Sequence, residues 1–527
     1  MTLTIAMDIT PADHNTEGLP EGWALTTLRD ACAINPPKAS KQSLAANAPV
    51  TFVPMPAVDA EVGAITKPQT RRFSEVRKGF TSFRENDVIM AKITPCMENG
   101  KAAIARNLIN GLGFGSTEFH VFRSTGAVLP EFIYHFIRQD VYRKAAEAEM
   151  TGSVGQKRVP QSFLETTELP LPPLPEQIRI VRSLTELLMT VKASHEKLSR
   201  VPATLKHYRK AVLAAACSGR LTEDWRAHRA SRTSSAEFLR AILAMRPERV
   251  KEQGVGAIRK PADPDGSQLS DIPEEWAIAS IDQVSCMVTS GSRGWAKYYA
   301  ESGPLFIRAQ DINTDRLQRD GIAHVEPPDN AEGRRTRVRF GDLLVTITGA
   351  NVTKAALLDR EVGESYVSQH VALVRPVDPS IGQFLYLWIV SPRHGRAKLL
   401  DDAYGAGKPG LNLDNIKETT LALPSLEEQQ EIVRRVDVLF KLADTIEMRV
   451  ATATRRAHKL TESILAKAFR GELVLTEAEL ARREGREYEP ASVLLERIKK
   501  ERNSGTTPMA TRQRSQSKGT LASAKGS

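Results

Sequence analysis

The sequence predicts an α+β protein in which one unit, a mixed α/β domain followed by a long helix, occurs twice. Residues 19–25 recur as 272–278, and Phe132-Ile133-Tyr134 recurs as Phe384-Leu385-Tyr386, at an offset close to 252. Such a period is far longer than the roughly 20–50 residues of a solenoid repeat, so it indicates a tandem duplication. Short apolar runs bounded by Gly, Asn and Pro predict strands in each copy, and a heptad pattern after each copy predicts a coiled coil.

Composition limits the classes of protein that need to be considered. The 527 residues are 41% hydrophobic and 26% charged, which is ordinary for a soluble chain, and the net charge of +10 suggests a polyanionic partner. Residues 1–13 lack a basic segment followed by an apolar core, and no apolar run is long enough to cross a membrane. Four well-separated cysteines predict reduced thiols rather than disulfides or a zinc site. We therefore expect a cytoplasmic protein.

The repeat and the changes in composition divide the chain into eight segments. We predict an N-terminal arm (1–17), a first globular domain (18–175), a central helix (176–219), a linker with a short helix (220–270), a second globular domain (271–425), a distal helix (426–471), a C-terminal helical segment (472–502) and a disordered basic tail (503–527). Within the domains, strands are expected near 87–93 and 342–347, and helices near 130–148 and 379–400.

The two long helices carry apolar residues at alternating steps of four and three, which predicts that they pack against each other. Each seam extends over about 37 residues, or roughly 55 Å. The predicted interface residues are Ile180, Leu184, Leu187, Val191, Leu198 and Leu205 in the first helix and Ile432, Val436, Leu439, Ile446, Val450, Leu460 and Ile464 in the second. Gly219 and Gly471 are expected to end the helices. Pro202 is expected to kink or break the first.

Catalytic motifs are incomplete in this sequence. Asn35-Pro36-Pro37 resembles the loop that holds a flipped adenine in amino-methyltransferases, but Lys38 replaces the stacking aromatic residue. Gly405-Ala406-Gly407-Lys408 lacks the first glycine and the hydroxyl residue of a phosphate loop. No metal-ligand pair of histidines is present, so we expect no metal site and no covalent chemistry in this chain. A self-sufficient adenine methyltransferase using Asn35-Pro36-Pro37 and a purely structural scaffold remain as alternatives.

Three pairs of motifs resemble the specificity subunit of type I restriction-modification enzymes, and the resemblance covers about 18–502. Leu19-Pro20-Glu21-Gly22-Trp23 and Ile272-Pro273-Glu274-Glu275-Trp276 are similar to the family's domain openings. Residues 172–177 and 424–429 are similar to its helix entries, and residues 214–221 and 466–473 to its helix exits. Pro202, the long linker and the basic tail are departures from the family pattern.

The resemblance implies two target-recognition domains, each reading one half of a bipartite, asymmetric DNA site. It implies that the helices form an antiparallel coiled coil that sets the gap between the half-sites and docks two methylation subunits. Restriction subunits would join them in a defence against foreign DNA. S-adenosylmethionine, ATP and Mg would then be bound by the partner subunits, with no cofactor in this chain. The chain would be a non-catalytic part of a site-specific deoxyribonuclease and adenine methyltransferase complex.

Candidate DNA contacts lie in polar loops flanked by glycine and in basic runs. Arg and Lys suit guanine edges, whereas Asn and Gln suit adenine. The candidates are Arg71, Arg72, Arg77, Lys78, Gln156, Lys157, Arg158, Arg293, Lys297, Arg308, Gln310, Asn313, Lys408 and Asn412. For each of them, a solvated surface residue is the alternative. Glu176-Gln177 and Glu428-Gln429 are expected to cap helices.

Overall fold

The computed structural model describes residues 18–38, 44–153, 155–228, 233–254, 259–269, 271–359, 362–405 and 409–503. The chain divides into two compact units, one formed by Met1–Lys197 with Ala453–Ser527 and the other by Leu198–Thr452. Each unit therefore combines one globular domain with the beginning of one long helix and the end of the other. The predicted N-terminal arm (1–17) and all but the first residue of the predicted basic tail (503–527) lie outside the described residues.

The first unit is built on two four-stranded sheets. The order of the first sheet is Gln69–Arg72, Pro49–Val53, Leu112–Gly115 and Thr81–Arg84, and only its central pair is parallel. The order of the second sheet is Cys32–Ile34, Phe119–Ser124, Val88–Ala91 and Ala102–Ile104, with antiparallel pairs throughout. Two further pairs are Ala24–Thr27 with Glu168–Leu171 and Val58–Asp59 with Ala64–Ile65.

The helices of the first unit cover the strands and close its core. They are Leu28–Ala31, Phe73–Val76, Pro130–Ile137, Asp140–Ala148, Gln161–Thr166, Glu477–Glu484 and Ala491–Asn503, with 3₁₀ turns at Met55–Ala57 and Ile109–Gly111. The helix expected over 130–148 is thus two helices. The last two helices come from the far end of the chain, and Leu494 and Leu495 lie in the same core as Phe132 and Leu171.

The second unit repeats this architecture. Its four-stranded sheet has the order Ser285–Ser290, Val371–Pro376, Leu343–Thr346 and Ala355–Leu357, and its three-stranded sheet has the order Ala323–Val325, Tyr299–Ile307 and Ser365–Val367. The remaining strand pairs are Ala277–Ser280 with Thr420–Leu423 and Ile312–Asn313 with Arg316–Leu317.

The helices of the second unit correspond in part to those of the first. They are Glu223–His228, Ser235–Glu252, Ile281–Val284, Ala331–Thr336, Gly382–Val390, Gly395–Asp402 and Leu413–Lys417, with 3₁₀ turns at Arg220–Thr222, Gly266–Gln268, Trp295–Tyr298, Ala309–Asp311 and Pro379–Ile381. The helix expected over 379–400 is therefore a 3₁₀ turn and two helices. The strands predicted near 87–93 and 342–347 are present in both copies.

An arginine pairs with a buried aspartate at the same place in both units. Arg123 binds Asp87 at 2.6 Å in the first, and Arg375 binds Asp342 at 2.7 Å in the second. In each case the arginine lies on the strand next to the one that the aspartate precedes. A buried carboxylate is costly without a partner, so each pair satisfies a charge that the sheet encloses. Burial raises the pKa of Asp342, and its hydrogen bonds with Arg375 oppose that shift.

The long helices are Leu174–Cys217 and Leu426–Phe469, each of 44 residues. Their packing is antiparallel within each unit. In the first unit, Ile180 and Leu184 share a core with Ile464 and Ala468. In the second, Val212 and Ala216 share a core with Ile432 and Val436. The α+β class with a duplicated domain and paired antiparallel helices is confirmed.

The first long helix continues through Pro202, so the break expected there is not found. Proline removes one backbone donor, and the remaining backbone bonds of a 44-residue helix hold it together. Of the predicted interface residues, Leu205 is buried, and Val191, Leu198, Leu439, Ile446 and Val450 are half-buried. Leu187 and Leu460 are instead 39% and 51% exposed. A helix of 3.6 residues per turn drifts from a strict heptad, and Leu188 contributes to the core instead of Leu187.

None of the helices among the described residues has the length and apolarity to span a membrane. The four cysteines are free, and three of them are buried.

Candidate nucleic-acid interface

A buried carboxylate joins three separate parts of the first unit. The indole nitrogen of Trp23 donates to Glu176 Oε1 at 2.8 Å, and the backbone N–H of Glu477 donates to Glu176 Oε2 at 2.8 Å. Burial raises the pKa of Glu176, while these two hydrogen bonds lower it. Glu176 therefore holds the domain opening and accepts from the first N–H of the helix Glu477–Glu484, so the helix end that it satisfies is that one.

The second unit has the same arrangement around Glu428. Trp276 donates to Glu428 Oε2 at 3.0 Å, while Thr222 and Arg226 donate to Oε1 at 2.7 and 2.5 Å. In both units, a residue that follows the other repeat's long helix completes the contact. The neighbouring amides of Gln177 and Gln429 donate to the carbonyls of Pro172 and Pro424. These residues are buried within the scaffold, so they are unavailable to a nucleic acid.

The two helix ends meet the opposite domain openings through glycine. Gly219 and Gly471 have φ values of 70° and 75°. Such left-handed values are typical of the glycine that ends a helix. A Cβ atom on Gly219 would lie 2.4 Å from Pro273, and one on Gly471 would lie 2.4 Å from Pro20. The glycines therefore permit both the turn and the close approach.

The first unit contains a cleft of about 490 Å³. Its lining residues are Asn35, Pro36, Pro37, Lys38, Gly79, Phe80, Thr81, Ser82, Lys92, Thr117, Phe119 and Val121. The first four form the loop after Cys32–Ile34, and Gly79 to Ser82 lead into the strand Thr81–Arg84. The cleft therefore lies where residues of the two four-stranded sheets come together.

A chain of hydrogen bonds fixes the loop at one side of the cleft. The backbone N–H of Val121 donates to Asn35 Oδ1 at 3.0 Å, and Asn35 Nδ2 donates to Gln161 Oε1 at 2.9 Å and contacts His120 Nδ1 at 3.1 Å. His120 Nε2 lies 2.9 Å from the carbonyl of Val159, so the proton is on Nε2 and Nδ1 accepts. Burial lowers the pKa of His120 to about 4, which keeps the ring neutral.

These contacts occupy the whole amide of Asn35. A methyltransferase loop needs its Asn side chain free to bind the amino group of adenine, whereas here the oxygen and the nitrogen both have protein partners. The geometry does not favour the adenine methyltransferase alternative. Among the described residues, no group of three or more His, Cys, Asp and Glu side chains could hold a metal ion.

The basic run of the first unit lies along one sheet edge. The Arg71 guanidinium stacks 3.9 Å from the centroid of Phe52 and donates to Gln69. Arg72, Arg77 and Lys78 are exposed around the helix that follows. This edge presents several positive charges to solvent, while Arg71 itself is partly fixed by its neighbours.

The two glycine-flanked loops are structurally equivalent. Thr151 bridges Arg158 in the first unit, and Tyr404 bridges Gly410 in the second. Gln156 and Lys157 are exposed on the first loop, while Arg158 forms two hydrogen bonds with Glu118 at 2.9 and 3.0 Å. On the second loop, Lys408 lies outside the described residues.

Several candidates in the second unit have structural partners. Arg308 donates to both carboxylate oxygens of Asp311 at 2.9 and 3.0 Å. Asn412 caps the helix Leu413–Lys417 by accepting from Asn415 N–H. Arg293, Lys297, Gln310 and Asn313 are exposed. Lys297 also lies 4.8 Å from the ring centroid of Tyr298.

Glu332 anchors the loop that carries Arg293, and the sequence reasoning missed this residue. It accepts from the backbone N–H of Ser292, the Trp295 indole and Arg335. Burial raises the pKa of Glu332, but these hydrogen bonds outweigh it and bring the pKa to about 2. Arg335 also donates to Thr289 and Ser290. Nothing in the local sequence identified the contacts of Glu332 with Ser292 and Trp295, because about 40 positions separate Glu332 from these two residues.

Lys92 and Thr117 in the cleft were also missed. Lys92 directly follows the strand Val88–Ala91, and Thr117 lies two residues before the strand Phe119–Ser124. A polar residue immediately after the apolar run of Val88–Ala91 was the one available signal. The cleft brings Lys92 together with Asn35 and Lys38, which the sequence separates by more than 50 positions.

Comparison with known proteins gives one consistent result. The family model for the type I restriction modification DNA specificity domain matches residues 20–203 and 329–452. The EcoBI specificity subunit of Escherichia coli is 33% identical over 390 residues, which cover 73% of this chain and 74% of that protein. The EcoEI specificity subunit, also from E. coli, is 25% identical over 500 residues, covering 85% of this chain and 82% of that protein.

Solved structures show the same fold. A chain from a study of complex assembly and conformational transition of the type I restriction-modification system has a TM-score of 0.58 and 22% identity, covering 86% of this chain and 99% of that one. The crystal structure of the HsdS subunit from Thermoanaerobacter tengcongensis has a TM-score of 0.54 and 20% identity, covering 87% and 99%.

Proposed function

This chain belongs to the family of type I restriction-modification DNA specificity subunits, and from that premise we propose that each of its two units reads one half of a bipartite DNA target. The chain is the sequence-recognising subunit of a restriction-modification system. It brings DNA to other subunits rather than carrying out the chemistry. The cytoplasm, where DNA is accessible, is its proposed place of action.

The observation that carries this proposal is a duplicated scaffold with different surface chemistry. The Trp–Glu and Arg–Asp contacts occur in both units, at Trp23–Glu176 and Trp276–Glu428 and at Arg123–Asp87 and Arg375–Asp342. The equivalent loops differ, with Gln156, Lys157 and Arg158 on one and Gly410 opposite Tyr404 on the other. Because the copies share one chain, the two half-sites can differ, and the target need not be a palindrome.

The proposed partners are double-stranded DNA, two methylation subunits and restriction subunits. S-adenosylmethionine, ATP and Mg are proposed to bind to those subunits. The long helices are proposed to dock the methylation subunits, since apolar side chains are exposed on their outer faces. Ile178 and Met189 are exposed in the first unit, as are Val438, Leu442 and Met448 in the second.

The gap-setting role is tested by lengthening both long helices by one turn. Four residues inserted near the middle of each helix should lengthen the gap between the methylated half-sites while leaving the half-site sequences unchanged. Sequencing of methylated DNA after exposure to the reconstituted complex measures both. The control carries the same four residues in the exposed turn at Gly485, and it should retain the parental gap. An unchanged gap in the helix variant would contradict a ruler role.

The adenine methyltransferase alternative is tested by calorimetry on the purified chain. A self-sufficient methyltransferase would have to bind its methyl donor without a partner subunit, whereas a non-catalytic subunit would not, so titration with S-adenosylmethionine should give no binding heat. Tight binding by the chain alone would overturn the non-catalytic assignment.

A further inference from the structure

We propose that the first unit contacts the DNA backbone through the cleft beside Asn35, with Lys38 and Lys92 as phosphate ligands. This inference rests on the proposed function and assigns it a surface. Neither lysine was among the candidates that the sequence supplied. The cleft lies between residues that the chain keeps far apart, so only the folded domain brings them together.

Lys92 is held at a fixed place in the wall of the cleft. Its backbone N–H donates to the carbonyl of Glu118 at 2.9 Å, and its carbonyl accepts from Val159 N–H at 2.9 Å. Its side chain is half-buried, yet its ammonium has no hydrogen bond or ion pair with any residue that the structure describes. A positioned cation that lacks a protein partner is available to an anion from outside.

Lys38 is presented by a stiff loop on the other side. Asn35 has a left-handed φ of 47° and is held through both atoms of its amide. Pro36 and Pro37 then restrict the backbone up to Lys38. Because residues 35–37 are held in place before a ligand binds, less backbone conformational entropy is lost on binding. Lys38 is exposed, and its ammonium is likewise without a partner within the described part of the chain.

The nearby carboxylate does not cancel these charges. Glu118 is already bound by Arg158 through two hydrogen bonds, and those contacts lower its pKa, so it stays ionised and paired. The pair has no net charge, which leaves the positive charges of Lys38 and Lys92 in excess at the cleft. Phosphate contacts of this type contribute affinity rather than sequence information.

The remaining lining suits a nucleotide. Thr81, Ser82 and Thr117 supply hydroxyl groups, and Phe80 supplies an apolar wall, its ring packed edge-on against Phe52 at 4.9 Å. Ammonium groups for phosphate, hydroxyls for phosphate or sugar oxygens and an apolar surface are the features that backbone recognition uses.

The two units differ at this place although their scaffolds agree. In the first, Ala91 pairs with Phe119, and in the second, Thr346 pairs with Val371. The residue after each strand is therefore equivalent, and it is Lys92 in the first unit but Ile347 in the second. By the same register, Thr117 corresponds to Gln369. The phosphate contact proposed for Lys92 therefore belongs to the first unit alone, since Ile347 carries no charge at the equivalent place.

The test uses the full chain assembled with its methylation subunits. Binding of a fluorescent target duplex, and of the same duplex with the first half-site scrambled, is followed by anisotropy between 50 and 200 mM KCl. In the double variant Lys38→Gln with Lys92→Gln, affinity should fall for both duplexes. The slope of log Kd against log salt should decrease by about 1.8, because each phosphate that the protein neutralises contributes about 0.9 to that slope.

A matched control removes two lysines that do not line the cleft. Lys144 and Lys499 form exposed ion pairs with Asp140 and Asp30, and the variant Lys144→Gln with Lys499→Gln should keep the wild-type slope. Thermal melting establishes that the variants are folded. The single variant Lys92→Arg keeps the positive charge, so it should retain most of the wild-type slope of log Kd against log salt.

The outcomes separate this inference from the proposed function. If wild type prefers the target duplex but the cleft variant matches the control in affinity and slope, the cleft assignment is wrong and the function stands. If the cleft variant loses the preference for the target duplex but keeps the wild-type salt slope, the lysines are base contacts, and the phosphate assignment is also overturned. If the wild-type complex does not distinguish the two duplexes, the proposed function itself fails.

Discussion

The indole nitrogen of Trp23 lies 2.8 Å from a carboxylate oxygen of Glu176, and both side chains are buried. Trp23 belongs to the opening of the first domain, and Glu176 to the first turn of the long helix. The second oxygen of Glu176 binds the backbone of Glu477, near the end of the chain. One carboxylate thus fastens the entry helix, the domain opening and the other repeat's exit segment within a single unit.

Replacing this carboxylate by an amide should destabilise the first unit. Glu176→Gln retains one acceptor oxygen and places a donor where a second acceptor is needed, so one N–H loses its buried partner. We expect a cost of about 1–3 kcal/mol. Hydrogen exchange should show reduced protection around Trp23 and Glu477. Glu186→Gln, at an exposed position of the same helix, is the control, and an equal effect there would contradict the importance of the buried carboxylate.

A side chain at the helix-ending glycine should be poorly tolerated. Gly471→Ala combines a φ of 75° with a Cβ atom 2.4 Å from Pro20. Gly485→Ala is the matched control, because its φ is 64° but nothing lies within 4 Å of its Cβ. The left-handed conformation alone costs about 1–2 kcal/mol, so the additional destabilisation at Gly471 measures the close approach. Equal urea unfolding curves for the two variants would show that no such close approach exists.

Neighbouring residues on one loop should separate stability from DNA affinity. Arg158 is bound to Glu118, whereas Lys157 is exposed. Arg158→Gln should lower the melting temperature, since it leaves Glu118 without its partner. Lys157→Gln should leave the melting temperature within about 1 °C, because surface changes alter stability little, and it should weaken DNA binding in the assembled complex. The reverse pattern in melting and anisotropy would exclude the loop as a DNA contact.

Stability should fall as the pH is lowered from about 6.5 towards 4 because of buried histidine. The pKa of His120 in the folded protein is about 4, since burial disfavours the charged ring, whereas unfolded histidine has a pKa near 6.5. Between these values the unfolded chain binds more protons than the folded protein does. The contribution of His120 to stability is therefore present above pH 6.5 and lost on acidification. The loss is up to about 3 kcal/mol for this residue.

The matching variant is His120→Gln, whose amide can donate to Val159 and accept from Asn35 without titrating. Thermal unfolding between pH 7.5 and 4.5 should show a smaller decrease for this variant than for wild type. His135 and His394 retain their own contributions, because burial lowers the pKa of each to about 4. Parallel curves for variant and wild type would show that His120 is not buried and neutral as described.

The duplication was predictable because it depends on long stretches of sequence at one offset. The heptad pattern likewise predicted both long helices, since apolar spacing reports the period of a helix directly. It was less accurate for individual residues: Leu187 and Leu460 fit the heptad but face solvent, because tertiary packing selects which neighbour turns inward. The break expected at Pro202 also did not occur, because the remaining backbone bonds of the 44-residue helix outweigh the one missing donor.

By itself, the sequence determined that two copies of one domain-and-helix unit exist, and that their motifs belong to a DNA specificity family. Only the tertiary structure decided which parts of the chain form a unit. The exit of each helix completes the domain of the other copy, through Glu176 with Glu477 and through Glu428 with Thr222. The tertiary structure also decided which candidate DNA contacts are already bound to carboxylates, as Arg158 and Arg308 are. The physical reason is that periodicity is local along the chain, whereas burial and ion pairing depend on residues that only folding brings together.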